Sequence, residues 1–340
     1  VFAASYLIGV LALSAVQCAV RRLRGSERRG RLTQISQLPI EQELLSQAVP
    51  TLIMKIDKSM KQLIPSLFCL CLFYGAVAQA PRLIVRVDDM GCSHATNLGI
   101  MRSFELGIAT SVEVMVPTAW FPEAVTLLKA YPEIDAGIHL TLTSEWSGLK
   151  WGPLTRAPGL SDDWGYFYPV IWPNARFGEG RALLESDWTP AEVEAELRAQ
   201  IELAKREIPQ LSHVSGHMGC TGMTEEVQAM VRRLCDEYGL AIFPEDHDVE
   251  RMPGLGGKEL SPAEKTANFI AALHGLEEGK TYLFVEHPAL DTPEQQAIGH
   301  PGYDLVAYDR MGVLAVLTDP DVKQTIEVLG IELISYADLR

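Results

Sequence analysis

Two adjacent aspartates, Asp88-Asp89, end a short apolar run and are followed by Met90-Gly91. His139 stands in Gly137-Ile138-His139-Leu140, His213 and His217 flank Val214-Ser215-Gly216, and Glu286-His287-Pro288 ends a second apolar run. Carboxylates at the end of a buried strand are costly unless they are paired or bind a cation. One Asp with two His is a common ligand set for a divalent metal with open positions. The other carboxylate of the pair is then free to act as a base. Neighbouring strand residues point to opposite sides, so both carboxylates reach one site only if the backbone turns, and Gly91 permits a turn. Each feature also has an ordinary explanation, since Asp-Asp often caps a helix and a lone strand histidine is more often core. Their weight comes from recurrence at four strand ends.

The elements that must position these residues alternate. Apolar, β-branched runs at 83–87, 111–116, 136–142, 212–216, 240–243, 281–286 and 331–336 read as strands buried on both faces. Helical spacing lies between them, at about 94–106, 121–130, 190–207, 223–237, 262–276, 303–317 and 320–328. Ser93 is a suitable N-cap, and Thr189-Pro190-Ala191-Glu192 and Ser261-Pro262-Ala263-Glu264 are capping boxes with Pro at the first helical position. Seven βα repeats in about 260 residues predict an α/β fold, a (β/α) barrel that is closed or incomplete, with outer helices. Functional residues in such barrels gather at the C-terminal ends of the strands.

Composition bounds the function. The 340 residues are 47% hydrophobic and 21% charged, which is globular. A net charge of −15 argues against nucleic-acid binding. Residues 1–80 hold nine Lys/Arg and four Asp/Glu, which leaves 20 basic and 40 acidic of the chain's 29 and 44 for residues 81–340.

The first eighty residues read as targeting sequence and are set aside from the fold. Phe2 to Val20 carries no charge and is followed by Arg21, Arg22, Arg24, Arg28, Arg29 and Arg31, the pattern of a membrane anchor with a cytoplasmic flank. Met60-Lys61 precedes a short apolar run that ends in small residues at Ala76-Val77-Ala78 and Ala78-Gln79-Ala80, the pattern of a signal peptide. Two exporting segments in tandem are redundant. The expected division is 1–59 as an upstream extension or anchor, 60–80 as signal peptide and 81–340 as the working domain. The expected location is secreted or periplasmic, or membrane-anchored if 2–20 is genuine. No stable membrane partner is expected after cleavage, and a homodimer stays open. Only Cys92, Cys220 and Cys235 lie beyond the signal, too few for a disulfide framework.

Residues 82–117 closely resemble the opening of the YdjC-like carbohydrate deacetylases, the family of chitooligosaccharide deacetylases. The shared features are Asp88-Asp89-Met90-Gly91, Asn97-Leu98-Gly99-Ile100 and Gly107-Ile108-Ala109-Thr110-Ser111. Gly137–Thr143, His213–His217, His287-Pro288 and Leu333–Leu339 match later motifs of that family, so the resemblance covers essentially all of 81–340. Ser215, Met218 and Gly219 depart from it, standing where an Asp and further histidines are usual. Two elements compete for the late motif, His287-Pro288 and His300-Pro301-Gly302-Tyr303. His287 is favoured because it ends a strand.

The resemblance implies that Asp89, His139 and His217 hold a divalent metal, zinc or magnesium, with the histidine pair leaning to zinc. It implies Asp88 as general base and His287 as general acid, in a hydrolysis that frees acetate from an N-acetylated sugar. All six Trp lie between 120 and 188, mostly in the long irregular segment after His139. Trp151 and Trp164 are the expected sugar platforms, although a loop with its own small core is an equal explanation for any single Trp. If Asp89 and His217 share one metal, Cys92 and Cys220 come near each other, which makes a disulfide between them a point to check. Two further functions stay open: a metal-dependent hydrolase of another amide or ester, and a non-catalytic carbohydrate-binding protein on the same scaffold.

Overall fold

The structure, a computed structural model, describes residues 79–340. The anchor at 2–20 and almost all of the signal segment at 60–80 lie outside the described residues. Among the described residues no helix is long and apolar enough to cross a membrane.

The strands are β1 (Arg82–Met90), β2 (Ser111–Val114), β3 (Asp135–Leu140), β4 (Leu211–Gly216), β5 (Val249–Arg251), β6 (Thr281–Glu286) and β7 (Glu332–Ile334). The helices are α1 (His94–Glu105), α2 (Phe121–Ala130), α3 (Pro190–Glu207), α4 (Glu225–Tyr238), α5 (Pro262–Leu273), α6 (Pro293–Gln296), α7 (Val306–Thr318) and α8 (Pro320–Leu329). All strand pairs are parallel, in the order β4-β3-β2-β1-β6-β5. β7 pairs Arg82–Ile84 of β1, on the edge where β2 pairs Arg86–Met90 further along. Among the described residues β4 and β5 are left unjoined, so the sheet is a half-barrel. The incomplete (β/α) barrel expected from the repeats is the fold observed.

Local signals behave as the sequence suggests. Ser93 accepts from Thr96 N at the start of α1, and both capping boxes form. One strand does not form where it was expected. Residues 240–243 leave α4 through Gly239, whose φ is +71°, and carry no ladder. Leu240 and Ile242 are buried there by packing alone, and Pro244 opens a short turn before β5 begins at Val249. Apolarity without a partner strand misled the pattern.

Alternation along β1 sorts its side chains. Leu83, Val85 and Val87 join the main core with the helices, whereas Ile84 joins Ile242, Leu283, Ile334, Tyr336 and Leu339 in a small cluster on the other face. Arg86 and Asp88 continue the Ile84 row. That face has an apolar floor and becomes polar toward the strand ends.

Candidate metal centre

The two aspartates share one site because β1 slips register between Val87 and Met90, where its pairing with β2 is irregular. Asp89 takes φ +73°, a left-handed conformation that a non-glycine residue adopts at a cost of about 1–3 kcal/mol. The turn anticipated at Gly91 therefore begins two residues earlier. Asp88 is 3% exposed and Asp89 1% exposed.

Asp88 is gripped by a fork from its own strand. Arg86 Nε donates to Oδ1 at 2.8 Å and a terminal guanidinium nitrogen to Oδ2 at 2.9 Å. Asp88 Oδ2 then lies 3.8 Å from His139 Nε2 and 4.0 Å from His287 Nε2. Register explains the second approach, because Val87 pairs with Glu286 and the next residues are Asp88 and His287.

Asp89 divides its two oxygens. Oδ2 accepts from Arg310, on α7, at 2.7 Å. Oδ1 lies 3.3 Å from His217 Nδ1 and 3.6 Å from His139 Nε2, yet it is buried without a hydrogen-bond partner. Ligand atoms of Asp89, His139 and His217 all fall within 4.8 Å of one another. A buried, unsatisfied carboxylate oxygen facing two imidazoles fits a divalent cation.

The electrostatics suit Asp89 and His139 and make His217 the ligand that must give up a proton. Burial opposes ionisation of Asp89, but Arg310 first, with His287 and His217, holds its carboxyl well below the usual range. Burial, with His217 nearby, pushes His139 down to about 3, so its ring is neutral, as a ligand must be. Burial would also depress His217, but Glu145 and Asp89 reverse this and hold it up at about 10. Glu145 Oε2 meets His217 Nε2 at 3.0 Å. His287 is raised despite burial by Asp89, Glu286 and Asp88, and 38% of its side chain remains exposed.

These groups open on a cavity of about 520 Å³, whose wall also includes Trp146, His300, Tyr303 and Lys258. His300 stacks on Trp146 at 5.4 Å, so it belongs to the aromatic wall, whereas His287 faces Asp88. Neither tryptophan expected to carry sugar lines this cavity. Trp151 is 4% exposed, donates its Nε1–H to Thr143 O at 2.7 Å and backs the His217 ring edge-on at 6.2 Å. Trp164 is 74% exposed and stands away from the cavity wall. Trp146 is the tryptophan that reaches the cavity wall, but it is 2% exposed, with His300 stacked on it and the Arg310 guanidinium 5.2 Å from its ring centroid. Cys92, Cys220 and Cys235 are free, which removes the anticipated disulfide, and Cys220 Sγ instead approaches Leu140 O at 3.0 Å.

Arg86, Glu145 and Arg310 were not anticipated. Arg86 had a signal, since it shares the Asp88 face two residues earlier on the same strand. Arg310 had none, because nothing in a helix 221 residues away announces its partner.

Comparisons with known proteins identify the family and the fold. The family described as YdjC-like protein matches residues 82–328. A carbohydrate deacetylase from Thermus thermophilus is 32% identical over 239 residues, covering 64% of this chain and 80% of that protein. A chitooligosaccharide deacetylase from Yersinia enterocolitica is 27% identical over 267 residues, covering 75% and 98%. A crystal structure of a protein from Enterococcus faecalis superposes with a TM-score of 0.60 at 24% identity, covering 77% of this chain and 99% of that one, and attests the fold.

Proposed function

Because this chain belongs to the YdjC-like protein family, we propose that it is a carbohydrate N-deacetylase, a metal-dependent hydrolase that frees acetate from N-acetylated sugars. The observation that carries the metal dependence is the buried, partnerless Asp89 Oδ1 facing His217 and His139. Asp89, His139 and His217 would hold zinc or magnesium, and two imidazoles favour zinc. A divalent cation there supplies Lewis-acid activation of water and polarises the amide carbonyl.

The remaining work falls to side chains. Asp88, fixed by the Arg86 fork, accepts the proton that the attacking water gives up. His287, on the open side of Asp88, donates a proton to the amide nitrogen as the C–N bond breaks. Acetate and a free amino sugar leave. His300, backed by Trp146, and Tyr303 give the sugar an aromatic wall. Residues 60–80, read as an export signal, would place this activity outside the cytoplasm.

Acetate release from N-acetylglucosamine and its oligomers, with zinc or magnesium supplied, tests the proposal. Release by the parent protein and none by Asp89→Ala is expected. Metal uptake without release from any N-acetylated sugar would point to another amide or ester, and no metal uptake would point to a binding protein.

A further inference from the structure

His139 is supported from behind by hydrogen bonds that the proposed reaction does not use. Its Nδ1 lies 2.7 Å from Ser215 Oγ, and the Ser215 hydroxyl donates to Glu113 Oε2 at 2.5 Å. Glu113 has no exposed surface, and its Oε1 meets His213 Nε2 at 2.6 Å. Sheet register builds this arrangement. Glu113 pairs with Gly137, and Gly137 with His213, so carboxylate and imidazole meet across a residue that has no side chain. A Cβ on Gly137 would lie 2.5 Å from His213 Nε2 and 2.7 Å from Glu113 Oε2. Two residues further along the strands, His139 pairs with Ser215.

Counting protons decides what the chain of bonds does. An ionised carboxylate only accepts, and a serine hydroxyl has one proton. Burial resists ionisation of Glu113, but His213 and then Arg86 prevail and hold its carboxyl below the usual range. Ser215 commits its proton to Glu113 and offers His139 only a lone pair. Nδ1 must therefore carry the ring proton, and Nε2 keeps its lone pair free. Nε2 is the atom that lies 3.6 Å from Asp89 Oδ1. In the other tautomer a proton would point into the site where a cation belongs.

We propose that Glu113 is a positioning residue for the metal centre, acting through Ser215 to fix His139 as the Nδ1–H tautomer with Nε2 as the donor atom. The inference rests on Asp89, His139 and His217 being the metal ligands. Outer partners of ligating histidines commonly contribute roughly 10–100-fold to metal affinity.

The test combines the ring ¹⁵N NMR of His139 in metal-free protein with calorimetric zinc titration. The variants are Ser215→Ala, Glu113→Gln and Ser215→Thr, and a cavity of about 400 Å³ beside Ser215 leaves room for the threonine methyl. The parent protein and Ser215→Thr are expected to show Nδ1–H and similar zinc affinities. Ser215→Ala and Glu113→Gln are expected to shift His139 toward Nε2–H and to weaken zinc roughly 10–100-fold. Thermal melting of each variant identifies any that fails to fold, and the other then decides. An Nε2–H ring in the parent protein overturns the proposal, as does unchanged tautomer and affinity in both disrupted variants. If the parent takes up no zinc, the ligand assignment falls, and the tautomer shift alone decides whether Glu113 acts on His139.

Discussion

The guanidinium of Arg310 donates to Asp89 Oδ2, and this leaves Oδ1 as the carboxylate oxygen that faces both imidazoles. One carboxylate is thereby shared between a fixed internal cation and an open position. Replacing Arg310 with Met should remove the guanidinium from a buried carboxylate and leave it only the His217 ring, a loss of the kind that costs roughly 3–5 kcal/mol in the metal-free protein. Urea unfolding of the variant checks this. A loss under about 1 kcal/mol, the range of exposed pairs, would mean that Asp89 does not depend on Arg310.

Zinc uptake should release a proton. His217 is held up at about 10 and so carries both ring protons at neutral pH, whereas a ligating imidazole must be neutral. Binding therefore opposes the charged form, and apparent affinity should rise by about tenfold per pH unit below that value. Calorimetry in buffers of different ionisation enthalpy reads the released proton directly. Affinity independent of pH would argue against His217 as a ligand.

The two aspartates should fail differently. Asp89→Ala should lose metal and turnover together. Asp88→Asn should keep zinc affinity while kcat falls by roughly 10²–10⁴, the usual range for a positioned base. Metal analysis beside steady-state kinetics separates them. Full activity in Asp88→Asn would remove Asp88 from its role.

The two late histidines make a second contrast. His287→Ala should lower kcat by roughly 10²–10⁴ as a general acid is lost. His300→Ala removes a face of the aromatic wall and should act mainly on KM. The opposite pattern would exchange their roles.

Gly137 should not tolerate a methyl. The 2.5 Å approach of a Cβ to His213 Nε2 forces the Glu113–His213 pair apart. Overpacking of this kind usually costs roughly 1–3 kcal/mol, measured by thermal or urea unfolding. An alanine variant as stable as the parent would show that the row is loosely packed.

Much of this was legible in the sequence because strands and caps act locally. The Asp88-Asp89, His139, His217 and His287 positions follow from strand ends, and the structure brings all five side chains to one cavity. What was illegible depended on register. Glu113 and His213 meet only because Gly137 lies between them in the sheet, and Arg310 reaches Asp89 from a helix far along the chain. The tryptophans misled for a related reason. An aromatic loop can cover a site or fill its own core, and Trp151 and Trp146 both fill core, Trp146 beneath His300 at the cavity wall.

The slip at Asp88 and Asp89 follows directly on the part of β1 that β6 pairs up to Val87, and the β2 pairing resumes after it at Met90. A strand paired on both edges as far as Val87 opens late, because peripheral elements open first and the most heavily paired ones last. The two carboxylates should therefore stay together for as long as the domain remains folded. Hydrogen exchange at Val87 and Met90 would then follow global unfolding, so that gentle heating leaves the acid pair in place until the whole domain melts.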